Sequence, residues 1–295
     1  MSSITLSAVF MQVLVGLSRT MILFIVTSGL SLVLGVLRIP NITHGSFYMI
    51  GAFLAFTISG LFGGGTIGFW FALILAPLAV ALISLILERG LLSRLYEREH
   101  LMLILFTFSL SLVLGDVVKI VWGPESRGLS VPDALQGSLS VIGLPFPRYN
   151  LFLLGVGPLV AFGLWFLINK TNIGKISQAA AVDREMVGAV GINVSLVFAV
   201  VFVIGCLLAG LGGALVAPVQ NIVLGMDHSI IMESFLIVII GGLGNIWGAL
   251  LGASIFGLSH SLGLLFWSQF SIIFPYTAVI IVLIVRPKGL LKSTW

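Results

Sequence analysis

Charged residues are scarce in this sequence: Asp, Glu, Lys and Arg together make up 8% of its 295 residues. Soluble domains carry about 25% charged residues, so this chain has too few to cover the water-facing surface of a globular protein. Apolar residues make up 59% of the chain, and the mean hydropathy is +1.23. Long uncharged stretches recur from one end to the other and leave no room for a separate soluble unit. We therefore predict a single transmembrane domain over residues 1–295.

Cysteine is nearly absent, since Cys206 is the single one and lies inside an apolar run. A lone cysteine excludes an intramolecular disulfide, and we predict that Cys206 is a small buried hydrophobic residue rather than a reactive thiol. Basic clusters are lacking as well. The net charge is +4, but its basic residues are spread over short loops, without the stripe that nucleic-acid binding requires. Basic loops beside membrane lipid explain this charge better.

The sequence also lacks the devices of catalysis. Gly174 and Lys175 are followed by Ile176, and the upstream glycine of a phosphate-binding loop is missing. No paired-carboxylate or nucleophile-elbow pattern is found. His228 and His260 have no second ligand at helical spacing. The sequence therefore predicts a protein that is not itself an enzyme and has no metal site and no cofactor.

The uncharged runs have the lengths of membrane-spanning helices, which need about 20 apolar residues. Glycines at 61–66 divide one long run, and punctuation at 241–247 divides another. We predict an all-α polytopic bundle of about eight spans, preceded by an interfacial or partly inserted lead-in over residues 4–18. The predicted spans are 20–37, two within 45–87, 101–122, 151–168, 194–217 and the remainder within 234–285.

Positive residues in the short loops indicate the orientation. Three basic segments fall on one side of the predicted membrane, namely 88–100, 170–193 and 286–292. We therefore predict that they are cytoplasmic, with the N-terminus outside and the C-terminus in the cytoplasm. Arg19 is then expected near the outer interface, with its long stem extended toward water. Asp227 and Glu233 are expected at the outer interface, where a span begins.

Two segments interrupt the apolar pattern, near 38–45 and near 241–248. Non-helical backbone at membrane depth is tolerated where protein buries it or where it lines a wet cavity, and paired interruptions point to a transport pathway. We therefore predict that Asn41, His44 and Asn245 lie in or beside the translocation pathway. The alternatives are an ordinary cytoplasmic turn for the first segment and close helix packing through small residues for the second.

The loop 170–193 is too polar to span a membrane. Residues 178–193 are predicted to form a short alanine-rich helix that has charges in its middle and ends at glycines. Small residues and a compact charged cluster on a cytoplasmic helix are suited to docking into a groove of a partner. A solvated connector is the alternative.

Three stretches, in order and at suitable spacing, resemble the branched-chain amino acid ABC permease family. They are GVLRIPNITHGSFYMIGA at 35–52, AAAVDREMVGAVGINVSLVFAVVFVIGCLLAGLGGAL at 179–215 and IGGLGNIWGALLG at 240–252. The resemblance implies a bacterial inner-membrane importer with a second, homologous permease, two cytoplasmic ATP-binding subunits and an external solute-binding protein. It also assigns the 170–193 loop to the contact with the ATP-binding subunits. The candidate coupling residues are Ala181, Asp183, Arg184, Glu185, Gly191 and Ile192.

The solute implied by the resemblance is an amino acid, branched-chain or otherwise, or a related small molecule such as an amide or urea. Ser46 stands where many family members are expected to carry an acidic residue, which leaves the solute open. The rival interpretation is a secondary transporter driven by an ion gradient. Such a protein needs carboxylates inside the membrane, and only Asp116, Asp227 and Glu233 are near enough to span ends.

Overall fold

The computed structural model describes residues 6–96 and 98–292, and these residues are mainly helical. Eleven α-helices occur in the described residues: α1 Leu6–Leu37, α2 Thr43–Leu61, α3 Gly65–Gly90, α4 His100–Trp122, α5 Arg148–Lys170, α6 Asn172–Val182, α7 Arg184–Ala189, α8 Val194–Val216, α9 Met226–Gly241, α10 Ile246–Phe266 and α11 Ile273–Val285. A hairpin of two short strands, β1 Ser138–Val141 and β2 Leu144–Pro147, lies between α4 and α5.

Among the described residues, seven helices are long and apolar enough to cross a membrane: α1, α2, α3, α4, α5, α8 and α10. The predicted all-α polytopic bundle is therefore confirmed. The run 234–285 contains one of these long helices, α10, between the 16-residue α9 and the 13-residue α11. The predicted glycine turn at 61–66 is also present, because α2 ends at Leu61 and α3 begins at Gly65.

The predicted lead-in and first span are one helix. Helix α1 has 32 residues, which corresponds to about 48 Å, against about 30 Å for the hydrocarbon core. Its polar residues do not break it because their hydroxyls donate to the preceding turn: Ser18 Oγ to Leu14 O at 3.0 Å and Thr20 Oγ1 to Gly16 O at 2.9 Å. Ile4, where the lead-in was predicted to begin, lies outside the described residues.

The hairpin was not predicted, and its turn shows why. Ile142 and Gly143 join the strands, with φ of 54° and 80°, as a two-residue hairpin turn requires. Glycine adopts positive φ readily, whereas a β-branched residue does so rarely. Because Ile142 occupies the position where Asn or Asp is usual, the turn could not be predicted from an Asn-Gly or Asp-Gly pair.

Helix α1 is the axis of the bundle. Phe24, Ile25 and Val26 are fully buried, and α1 packs against α5, α8, α9 and α10. Its contact with α8 is close because two glycines face each other: a Cβ on Gly29 would lie 2.5 Å from Gly205 O. Cys206, next along α8, is buried, as predicted.

Candidate functional site

The interruption predicted near 38–45 is a re-entrant connection. Helix α1 ends at Leu37, and α2 begins at Thr43 after a non-helical segment. His44 Nε2 lies 2.9 Å from Val26 O, and Val26 precedes Leu37 by eleven residues, or about 16 Å along the helix. The chain therefore turns back beside α1, and α2 begins inside the bundle. Asn41 stabilises this turn by accepting a hydrogen bond from Thr43 Oγ1.

The first turn of α9 contacts the first turn of α2 near the point where α2 lies beside Val26 of α1. Asp227 is buried, with 4% of its surface exposed, and Ser46 Oγ donates to Asp227 Oδ2 across 3.4 Å. Gly45 allows the approach, since a Cβ there would collide with the carbonyl of Asp227. Asp227 is therefore enclosed by protein, and its location at the outer interface stays a prediction. Two helix N-termini, whose dipoles favour negative charge, surround this carboxyl group.

The second interruption is a tight turn covered by the C-terminal tail. Helix α9 ends at Gly241 and α10 begins at Ile246. Asn245 caps α10, because its Oδ1 accepts from Gly248 N at 3.0 Å, and its Nδ2 donates to Lys292 O at 2.8 Å. The backbones of Gly241 and Gly248 are in direct contact. Close packing through small residues thus describes this segment well.

The three residues predicted for the translocation pathway are all shielded from lipid. Asn41 is 2% exposed, His44 0% and Asn245 6%. They do not line the three main cavities found in the described part of the chain. Asn41 and His44 belong to the re-entrant turn, and Asn245 belongs to the turn between α9 and α10. Their part in translocation stays a prediction.

A polar cavity of about 770 Å³ lies between α1, the start of α5, the end of α8 and the start of α9. Arg19 and Glu233 are its charged lining residues, and Tyr48, Asn150 and Gln220 add polar groups. Aliphatic side chains form the rest of its wall, among them Ile22, Leu23, Leu153, Val216, Leu224 and Ile230. The cavity combines both signs of charge with a large apolar surface.

Arg19 holds together charged and polar groups from three helices. Its Nη2 donates to Glu233 Oε1 on α9 at 3.2 Å, and its Nη1 lies 2.8 Å from His260 Nδ1 on α10. The Arg19 side chain thus points toward α9 and α10, and its location near the outer interface stays a prediction. Glu233 lies in the middle of α9 rather than at the start of a span. Arg19 and Glu233 are each a charged residue inside a predominantly apolar helix. This feature of the sequence could have indicated that they belong to a functional site.

The predicted helix at 178–193 consists of two helices that meet at Asp183. Asp183 ends α6 and caps α7, because its Oδ1 accepts from Met186 N at 2.9 Å. Arg184 then turns inward: its Nη2 donates to Leu37 O at 2.7 Å, and its guanidinium carbon lies 4.7 Å from the centroid of the Phe198 ring. Partial burial and the positive charge of Arg38 lower the pKa of the Arg184 side chain.

The loop after α3 joins the same cluster. Tyr96 donates from its hydroxyl to Glu88 Oε1 at 3.0 Å, and its ring meets that of Phe198 edge-on, with 5.7 Å between centroids. Burial and the carboxyl of Glu88 raise the pKa of Tyr96, so the hydroxyl keeps its proton and remains a donor. Arg184 and Tyr96 therefore contact the same ring, and α7 is anchored to the ends of α1, α3 and α8.

Three large apolar side chains of this segment are exposed. Val182 at the end of α6, Met186 in α7 and Val190 just after α7 are 70%, 62% and 73% exposed. We call these three residues the coupling face. Among the other candidates, Asp183, Glu185 and Gly191 are exposed, Ile192 is half-buried and Ala181 is buried. Exposed apolar side chains in a polar loop indicate a contact surface for another molecule.

Comparison with known proteins gives a consistent result. Residues 12–285 match the family model described as branched-chain amino acid transport system / permease component. The chain is 27% identical to the high-affinity branched-chain amino acid transport system permease protein BraD of Pseudomonas aeruginosa, with 90% of each chain covered. It is 25% identical to the LivH permease protein of the same kind of system in Escherichia coli, again with 90% of each covered. It is also 25% identical to LivM of Escherichia coli, over 93% of this chain and 69% of that protein.

Proposed function

The chain belongs to the family of permease components of branched-chain amino acid transport systems, and from that premise we propose that it is the membrane-spanning permease subunit of an ATP-driven amino-acid importer. The observation that carries the proposal is the family match over residues 12–285. The proposed solutes are branched-chain amino acids or related small solutes such as amides and urea. The proposed location is the inner membrane, with the N-terminus outside and the C-terminus in the cytoplasm. One permease domain over residues 1–295 fulfils this role.

The proposed energy source is a pair of cytoplasmic ATP-binding subunits that dock on the α6–α7 segment. Two features support this docking. The coupling face of Val182, Met186 and Val190 is exposed and apolar, and Arg184 fixes the segment to the body of the protein. The α6–α7 segment must be held rigidly, because the ATP-binding subunits can transmit their motion to the helical bundle only through a segment that does not move relative to it.

A second permease is the other proposed membrane partner. Escherichia coli has two proteins, LivH and LivM, that are each named a permease protein of a high-affinity branched-chain amino acid transport system, and this chain is similar to both. We propose that a related permease completes the pore and that an external solute-binding protein delivers the solute. The test is co-expression of the tagged chain with these partners. Recovery of a complex with ATP-binding subunits supports the proposal, and recovery of the chain without them, under conditions where both are made, contradicts it.

The proposed orientation predicts which engineered cysteines react. Arg94 and Gln136 are exposed and lie on opposite sides of the predicted membrane, while the native Cys206 is buried and gives little background. In intact cells a membrane-impermeant maleimide is expected to label Gln136→Cys and not Arg94→Cys. After the membrane is opened, both should react. Labelling of Arg94→Cys alone in intact cells would reverse the orientation.

A further inference from the structure

We propose that Arg19 and Glu233 form a recognition site for the two charged ends of an α-amino acid, with Arg19 binding the carboxylate and Glu233 the ammonium group. The inference rests on the proposed function, since it concerns the solute of that importer. It assigns the polar cavity to one chemical class, zwitterions with an aliphatic side chain. It also predicts that urea and amides, which lack these charges, are not recognised there.

The ion pair of Arg19 and Glu233 lies beside open space. Arg19 Nη2 and Glu233 Oε1 are 3.2 Å apart, and their side chains keep 36% and 19% of their surface exposed. An ion pair that served only to hold α1 and α9 together could be packed on all sides by other residues. This pair instead borders a cavity of about 770 Å³, within the size range of small-molecule sites.

The two charged ends of an α-amino acid are chemically complementary to this ion pair. A guanidinium offers a planar fork of donors that suits a carboxylate, and a carboxylate accepts from an ammonium group. A zwitterion can therefore replace one ion pair by two while the net charge of the cavity stays the same. This balance matters because an unpaired charge at membrane depth is costly. A cation or an anion alone leaves one member of the pair without a partner.

Aliphatic side chains line the cavity beside the ion pair. Ile22, Leu23 and Leu153 come from α1 and α5, and Val216, Leu224 and Ile230 come from α8, the following loop and α9. These residues offer an aliphatic side chain an apolar wall next to the charged groups. His260 Nδ1, 2.8 Å from Arg19 Nη1, is a positioning residue that holds the guanidinium toward α9 and α10.

The test uses the assembled importer in proteoliposomes with the double variant Arg19→Gln and Glu233→Gln. Removing both charges together leaves no unpaired ion, and replacing both partners of an ion pair is often tolerated by a fold. If the pair is only structural, uptake of L-leucine should match the wild type. If it binds the zwitterion, uptake should fall at least about tenfold, equivalent to about 1.4 kcal/mol, while the complex still assembles. The exposed Glu125→Gln is the matched control.

A second measurement uses the unmodified complex, so that folding of a variant is not at issue. Saturation-transfer NMR on the complex in nanodiscs, without binding protein, should detect L-leucine. The signal should be lost for leucinamide, which has no carboxylate, and for 4-methylpentanoate, which has no ammonium group. Equal signals for the three ligands, or wild-type uptake by the double variant, would overturn the inference. Absence of ATP-dependent uptake by the wild-type complex would instead count against the proposed function.

Discussion

Replacing Met186 and Val190 by aspartate is expected to abolish ATP-driven uptake while the chain still folds in the membrane. Both side chains are more than half exposed, so the substitutions remove little internal packing. In a docked complex the same positions become desolvated, and an unpaired charge in such a contact costs about 2–5 kcal/mol. Affinity for the ATP-binding subunits should then fall by a factor of at least about 30. Co-purification of these subunits with the tagged chain measures the effect.

The matched control is Ile142→Asp at the tip of the hairpin. Ile142 is 81% exposed, lies on the opposite side of the predicted membrane, and has a positive φ that aspartate accepts more readily than isoleucine. This variant should retain its ATP-binding subunits at the wild-type level. Equal recovery of ATP-binding subunits with the Met186 and Val190 variant would show that the coupling face is only a solvated surface.

Arg184→Met is expected to uncouple ATP hydrolysis from transport. The substitution keeps most of the apolar stem, but it leaves Leu37 O without its donor and removes the guanidinium from the Phe198 ring. A hydrogen bond to a charged group contributes about 1.5–3 kcal/mol and a cation–π contact about 0.5–1 kcal/mol. The α6–α7 segment should therefore detach from the ends of α1 and α8. The measurement is ATP hydrolysis stimulated by loaded binding protein, together with uptake.

Two further variants make this prediction specific. Arg94→Met removes a charge from an exposed position and should leave coupling intact. Arg184→Lys keeps the charge but loses the planar donor fork, so it should restore coupling only in part. Full coupling in Arg184→Met would mean that Arg184 does not anchor the segment.

The sequence was sufficient for most of the spans, because hydrophobic length is a local property, but the run 234–285 contains one long apolar helix where two spans were predicted. The helix break before α2 and the glycine turn before α10 were also predicted, from Pro40 and the glycines of 241–248. The break at Asp183 was not, since aspartate inside an alanine-rich stretch is compatible with one helix and becomes a cap only if Met186 N is free to be bonded. The length of α1 was missed because its polar residues are satisfied within the helix itself.

The polar cavity was not predictable in this way, because its charged residues come from distant parts of the chain. Arg19 and Glu233 are separated by 214 positions, and no local pattern states that they meet. The buried pair of Ser46 and Asp227 is a similar case. Ser46 looked like a missing acidic group, but the structure brings a carboxyl to it from α9. Both contacts follow from the way α1, α2 and α9 pack together, which the sequence alone does not reveal.

In the proposed importer, ATP hydrolysis by partner subunits drives amino-acid movement through this chain. The most direct measurement is uptake of radiolabelled L-leucine into proteoliposomes that contain the assembled complex, with binding protein outside and ATP inside. We predict accumulation that requires ATP, stops when the non-hydrolysable analogue AMP-PNP replaces it, and continues after proton and sodium gradients are collapsed. Accumulation without ATP that disappears when the gradients are collapsed would contradict the account and indicate a secondary transporter.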